Sequence, residues 1–316
     1  MTPSINRGLR NWEIRSMETQ YDTQRTQNTH RRNVVDVVRG LFFAAHPIPA
    51  AFFMTAVALF SLRAMWPHVR WSVFLLLVLG HGAMQYSINL MNDYCDRFQD
   101  AITQPTKPIV RGLVRPREVF IASIVMSVLM VLLLLPLPPL ALIISLAYLA
   151  LGMAYNFGLK ATAFSGLMLA LVFALIPLYI FAGIGKLIPF AYWLVPVGFL
   201  LGAALNLANS LPDVEGDKKN GTRTLAVLLG LRGSFLVCYA FMLLSIALIG
   251  TLTITGLVAS RAIITYPLLA LSVLALIVMN VLFGPNKPAG TRRAYFIIIS
   301  ALSLIIAFGW CLSAIT

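Results

Sequence analysis

From position 40 onward, apolar stretches of about 20 residues recur along the chain, separated by short polar segments. Each is long enough to cross a hydrocarbon layer about 30 Å thick as a helix. The pattern predicts nine membrane-spanning helices, near 40–62, 71–92, 118–136, 138–157, 162–185, 190–211, 233–256, 262–284 and 294–314. Only the proline-rich stretch at 135–139 separates the third from the fourth. Proline removes a backbone donor and clashes with the preceding turn, so a tight hairpin is expected there. Residues 1–39 are different: polar, rich in Gln, Thr and Arg, with no run apolar enough for a signal-peptide core. They are expected to form a flexible cytoplasmic tail, with the segment from His30 to Arg39, which includes Arg31 and Arg32, near anionic headgroups. The nine-helix domain then occupies 40–316.

Composition agrees with the pattern. The chain is 59% hydrophobic and 11% charged, with a mean hydropathy of +0.85. A soluble domain carries about 25% charged residues. An all-α integral membrane protein is indicated. A cytosolic globular protein, a disordered chain and a nucleic-acid binder are excluded, the last in spite of a net charge of +13. Cys95, Cys238 and Cys311 lie far apart without a CxxC pair, so neither a disulfide framework nor a thiolate metal site is indicated.

Charge fixes the expected orientation. With the N-terminus inside, the tail and inner loops hold 20 of the 24 Lys and Arg, and the outer loops hold only Arg63, Arg70, Lys186 and Arg261. That is a strong positive-inside bias. One missed span would invert every later loop.

The acids are more informative. Four of the eleven are in the tail and Glu118 opens the third helix; the other six form two clusters, Asp93, Asp96, Asp100 and Asp213, Glu215, Asp217. Both contain Asn-x3-Asp-x3-Asp, from Asn92 to Asp100 and from Asn209 to Asp217, where an even-numbered helix meets a cytoplasmic loop. Spacing of four places successive side chains on one helix face, about 5–6 Å apart. Such carboxylates repel one another unless cations neutralise them. Oxygen ligands select a hard cation, and Mg²⁺ completed by water and phosphate oxygens fits. Calcium has the right ligand type but no EF-hand spacing here. Zinc is disfavoured because His30, His46, His68 and His81 are dispersed.

Bases flank the acids: Lys107 and Arg111 after the first cluster, Lys218, Lys219 and Arg223 after the second, and Lys160 on a short loop between them. Carboxylates for Mg²⁺ beside Lys and Arg for free phosphate oxygens are the layout a diphosphate needs. Apolar surroundings add a hydrocarbon body to that head, as in a prenyl diphosphate.

These residues resemble a known family, the UbiA-type intramembrane prenyltransferases. Asn92-Asp93-x2-Asp96-x3-Asp100, followed by Lys107-Pro-Ile-x2-Gly112, resembles their first aspartate-rich motif. Asp213-Val-Glu215-Gly216-Asp217, with Gly221 and Thr224, resembles the second. Tyr155 and Lys160 resemble the Tyr/Lys pair after the family's fourth helix. The likeness covers about 40–316, and the paired motifs are its specific part. It implies nine helices bundled around a central cavity open sideways to lipid. Asn92, Asp96, Asp100, Asn209, Asp213 and Asp217 would hold the Mg²⁺–diphosphate, with Lys107, Arg111, Lys160, Lys218 and Arg223 on its oxygens and Tyr155 beside them. The chain departs from the pattern at His46-Pro47, where many members have a basic residue before proline, and at Arg111, where a small residue is common.

The implied reaction is Mg²⁺-dependent ionisation of a prenyl diphosphate and transfer of the prenyl group to an aromatic or other lipophilic acceptor, with Asp93 or Glu215 as proton acceptor. Two alternatives stand beside it. A terpene cyclase on the same scaffold would share every diphosphate ligand. A cation transporter would instead place its acids near the midplane, often on broken helices. Several residues also have plainer readings: Tyr155 as an interfacial belt residue, Lys160, Lys218 and Lys219 as topology anchors, and His46 and His81 as packed or hydrogen-bonded side chains. Arg115, Arg117, Arg292 and Arg293 are assigned to headgroups and topology.

Overall fold

The computed structural model describes Thr19, residues 33–219 and residues 221–314. Most of the expected tail, with His30, Arg31 and Arg32, lies outside the described residues. Its end is not a tail. Asn33 caps a helix, α1 (Val34–Ala44), through a reciprocal box in which Asn33 Oδ1 accepts from the Asp36 amide at 2.8 Å and Asp36 Oδ2 from the Asn33 amide at 3.2 Å. Gly40 and Ala44 are buried, whereas Val34, Val35, Val38, Phe42 and Phe43 are exposed.

The remaining helices are α2 (Pro47–Met65), α3 (Trp71–Thr103), α4 (Pro116–Leu134), α5 (Pro139–Asn156), α6 (Ser165–Gly183) and α7 (Pro189–Ser210). They are followed by α8 (Val214–Lys219), α9 (Leu225–Ile254), α10 (Ala262–Phe283) and α11 (Arg292–Ser313). All but α1 and α8 are long and apolar enough to cross a membrane, so nine spans stand among the described residues. Four of them start on proline, whose fixed φ and missing donor suit a first helical turn. The apolar surface faces outward: α4 and α10 have mean hydropathies of 2.2 and 2.4, yet only 22% of each span is buried. Such surface needs lipid as its solvent.

Three expected boundaries move. The first span starts at Pro47 rather than 40, because His46 takes φ 50 and a residue before proline is pushed out of the helical region. The second continues to Thr103, keeping its whole acid cluster helical. The seventh starts at Leu225 rather than 233, across a kink at Gly230 (φ 66), a conformation favouring glycine.

The described residues form two compact units, one of 33–54 with Leu79–Leu133 and one of Thr55–Val78 with 134–314. In the first, Ala44, Ala45, Leu90, Ala101, Val110 and Val114 share one apolar cluster, which fixes the loop after α3 against α1. At Gly40 an added Cβ would lie 2.6 Å from Val114 Cγ1. Serines join α3 to α4: Ser87 Oγ lies 2.7 Å from Ser127 Oγ, and Ser123 Oγ donates to the Ser87 carbonyl at 2.8 Å. In the second unit, Gly198 and Gly202 of α7 meet the α6 backbone. A Cβ at Gly198 would come 2.8 Å from the Phe173 carbonyl oxygen, and one at Gly202 would come 2.9 Å from Ala170 Cα. Small residues spaced by four let membrane helices approach this closely.

Candidate active site

The last three turns of α3 carry the first acid segment. Asp93 and Asp100 are 1% and 4% exposed, so each needs a partner. Lys107 supplies it for both: its Nζ lies 2.8 Å from Asp93 Oδ1 and 2.9 Å from Asp100 Oδ2. The loop brings Lys107 back because it coils tightly, with Lys107 N–H on the Gln104 carbonyl at 3.0 Å and Arg111 N–H on the Lys107 carbonyl at 2.9 Å. Gly112 closes that turn at φ 71. Burial pulls the Lys107 ammonium down, but the two carboxylates outweigh it and hold its pKa above the ordinary lysine value.

His46 reaches the same acid from the break between α1 and α2, with Nε2 2.8 Å from Asp93 Oδ1. Asn89 secures that break by donating to the Ala45 carbonyl at 2.9 Å. Asn92 and Asp96 sit half-buried on α3, while Arg111 is exposed. Arg97 stacks its guanidinium on Tyr94 and Phe98, 4.5 and 4.2 Å from the ring centres.

The second segment is more open. Asn209 ends α7, Asp213 is exposed, and Asp217 lies half-buried on the short α8. The Asp217 amide donates to the Asp213 carbonyl at 2.8 Å, which stacks the two acids one helical turn apart. Burial, and then the Asp213 charge, push the Asp217 carboxyl above the usual range, while Thr222 opposes them. Gly221 takes φ 71 with open space around it, so here the backbone, not crowding, calls for glycine. Beyond it, Arg223 N–H donates to the Ala161 carbonyl at 3.2 Å, which brings the Arg223 strand of loop alongside the Lys160 loop. Lys160 and Tyr155 are half-buried, and Lys218 is exposed.

Two features escaped sequence reasoning. Arg292 is not a headgroup residue: it is 7% exposed, with NH1 2.5 Å from Glu215 Oε2 and 3.3 Å from the Leu211 carbonyl oxygen. His46 is a partner of the acid motif. His46 is expected to be packed or hydrogen-bonded, but partners separated by 77 and 47 positions cannot be named from local spacing. Both acids considered as proton acceptors, Asp93 and Glu215, are therefore ion-paired.

Within the described residues no three His, Cys, Asp or Glu side chains converge on a single point. The donor set nonetheless fits a hard divalent cation. Its acids offer only oxygens, Asp217 is pushed toward neutrality by burial and then by Asp213, and the first cluster already clasps an ammonium.

The class defined so far is an all-helical membrane protein with acid-and-base segments ending its second and sixth spans. Residues 38–312 match the UbiA prenyltransferase family, and the chain belongs to it. Digeranylgeranylglyceryl phosphate synthase from Pyrococcus horikoshii is 30% identical over 175 residues, covering 55% of this chain and 61% of that protein. The match thus spans about three-fifths of that relative's length. A 4-hydroxybenzoate octaprenyltransferase from Nitrosomonas eutropha is 27% identical over 228 residues, covering 71% and 78%. A UbiA homolog from Archaeoglobus fulgidus, solved bound to GPP and Mg²⁺, superposes with a TM-score of 0.70 at 20% identity, covering 86% of this chain and 99% of that one. A digeranylgeranylglyceryl phosphate synthase structure gives 0.71 at 17%, covering 88% and 98%. At such identities the structural likeness establishes the fold.

Proposed function

We propose that this chain is a Mg²⁺-dependent intramembrane prenyltransferase that ionises a prenyl diphosphate and transfers the prenyl group to a lipophilic acceptor, aromatic or otherwise. One observation carries the reading: carboxylate and base are built together, with Lys107 clasped by Asp93 and Asp100 and the Arg223 loop bonded to that of Lys160. The relatives named for prenyl transfer, and the homolog bound to GPP and Mg²⁺, support it.

Asn92, Asp96, Asp100, Asn209, Asp213 and Asp217 would hold the metal. Bound Mg²⁺ supplies positive charge against the developing charge of the diphosphate. The chain's own cations do the same work: Lys107, Lys160 and Arg223, with Arg111 and Lys218 further out, bind the phosphate oxygens and stabilise diphosphate as the C1–O bond breaks. The electron pair leaves with that oxygen, and an electron-rich atom of the acceptor captures the allylic cation and then loses its proton. Asp93 and Glu215 each already hold a cation, Lys107 and Arg292. The apolar helices exclude water, the competing nucleophile. The positive-inside rule supports an orientation with the N-terminus and both segments facing the cytoplasm, since 20 of the 24 Lys and Arg would then lie on that side.

The test is diphosphate release by the purified chain from geranyl, farnesyl and geranylgeranyl diphosphates. Release should require Mg²⁺ and should fall by roughly 100-fold or more in Asp96→Asn and in Asp213→Asn. Release unchanged in either variant would sink the reading.

A further inference from the structure

Four basic residues, Arg63 in the last turn of α2 and Arg70, Lys186 and Arg261 on or beside loops, mark the second unit's expected outer side, which has no Asp or Glu. Two of the arginines have structural partners. Arg70 donates to the carbonyl of Ile184, just past α6, and Arg63 donates to that of Ala314, just past α11, at 2.6 Å. Both stand at helix C-termini, where the dipole favours a cation.

Arg261 is different. It directly precedes α10, where the dipole disfavours positive charge. Its guanidinium has no hydrogen-bond or ion-pair partner among the described residues.

Arg63 and Arg261 line the same cavity, of about 600 Å³, formed wholly within the second unit. Its other walls include Leu59, Leu62, Trp66, Phe308 and Leu312. The backbone fixes the Arg261 segment to the end of α11, where Arg261 N–H donates to the Ser313 carbonyl at 2.9 Å and Ser260 bridges to Ala314, and the Arg63 side chain reaches the same end through the Ala314 carbonyl. Helix α11 has 22 residues, so its length is about 33 Å. Its far end holds Arg292 on Glu215, which puts the cavity about one hydrocarbon thickness away from the second aspartate-rich segment.

We infer that this cavity binds an anionic membrane phospholipid, its phosphate between Arg63 and Arg261 and an acyl chain along the apolar wall. Guanidinium pairs well with phosphate oxygens, and the volume suits a headgroup with the start of its chains. Trp66, 72% exposed, has the character of an interfacial belt residue at the rim. A soluble phosphate would leave the apolar wall bare, and an uncharged lipid would leave the Arg261 guanidinium without an anion.

The experiment is native mass spectrometry of the purified, delipidated full chain titrated separately with phosphatidylglycerol, diacylglycerol and glycerol 3-phosphate. Wild type should retain one phosphatidylglycerol about tenfold more tightly than Arg261→Gln, with diacylglycerol held weakly and equally by both. Arg261→Gln is the decisive variant because that side chain holds no described part of the fold. Arg117→Gln, exposed in the first turn of α4, should bind as wild type does. Equal phosphatidylglycerol retention by wild type and Arg261→Gln would overturn the proposal. Tight glycerol 3-phosphate binding that Arg261→Gln abolishes would overturn the lipid in favour of a free phosphate ester.

Discussion

Replacing Lys107 by Met removes the one ammonium shared by Asp93 and Asp100, two carboxylates that are 1% and 4% exposed. Breaking a buried ion pair from one side costs about 3–5 kcal/mol, because the remaining charge stays desolvated. His46 still faces Asp93 after the change, and the Lys107 side chain is itself 13% exposed, so the lower end applies, about 3 kcal/mol. At roughly 2–4 °C per kcal/mol, the melting temperature in detergent without divalent cations should drop by about 6–12 °C. The second change in Asp93→Asn/Lys107→Met removes one stranded charge and should recover part of that loss. The sign of the pH dependence follows from the raised pKa. A cation held above its ordinary value of 10.5 stabilises fully below that value and loses its effect only as pH rises through the higher one. The advantage of wild type over Lys107→Met should therefore persist up to about pH 9 and shrink in acid, where protons neutralise the carboxylates that the variant leaves unpaired. Thermal melts of wild type, both variants and Arg117→Met as an exposed control decide it. A drop of less than about 2 °C in Lys107→Met would refute the buried clasp.

Other predictions follow from single contacts. Gly202→Ala would push a Cβ to 2.9 Å from the Ala170 Cα, where backbone meets backbone, so it should destabilise the second unit by about 3 kcal/mol or prevent expression, as read by size-exclusion yield and melting. Gly40→Ala meets chiefly side chains, Val114 Cγ1 at 2.6 Å and Leu113 Cβ at 3.2 Å, and should cost less, about 1–2 kcal/mol in the same assay. Arg292→Met releases Glu215, which is half-exposed, so stability should fall by only about 1–2 kcal/mol. Its larger effect should be on KM for prenyl diphosphate, since the α7–α8 junction loses its anchor to α11. An unchanged KM would separate Arg292 from the site.

Much of this was legible from residue order because lipid imposes a simple length rule. Each of the nine spans among the described residues overlaps a stretch that hydropathy picks out, and the acids stand out because so few others exist after residue 36. The errors fall where charge and helix coexist. Hydropathy ends the second span at Asn92, yet Lys107 neutralises Asp93 and Asp100 and the helix runs on for three more turns. The start of the seventh span was obscured by Gly230 and Arg232, which read as loop but form a kink inside α9. His46 carried its signal in Pro47, a breaker one position on. The assignment of Arg292 to headgroups failed for another reason: a cation at a span end looks the same in sequence whether it snorkels to lipid or turns inward to a carboxylate.

The most direct test of the central claim is transfer itself. Purified protein in lipid is given a radiolabelled prenyl diphosphate, Mg²⁺ and a lipid extract as the acceptor pool, and the organic phase is analysed by mass spectrometry. The account predicts acceptor-dependent label in a heavier, prenylated lipid, matched mole for mole by diphosphate released and absent in Asp96→Asn. Label appearing only as a cyclic hydrocarbon or a free prenyl alcohol, with or without acceptor, would contradict it.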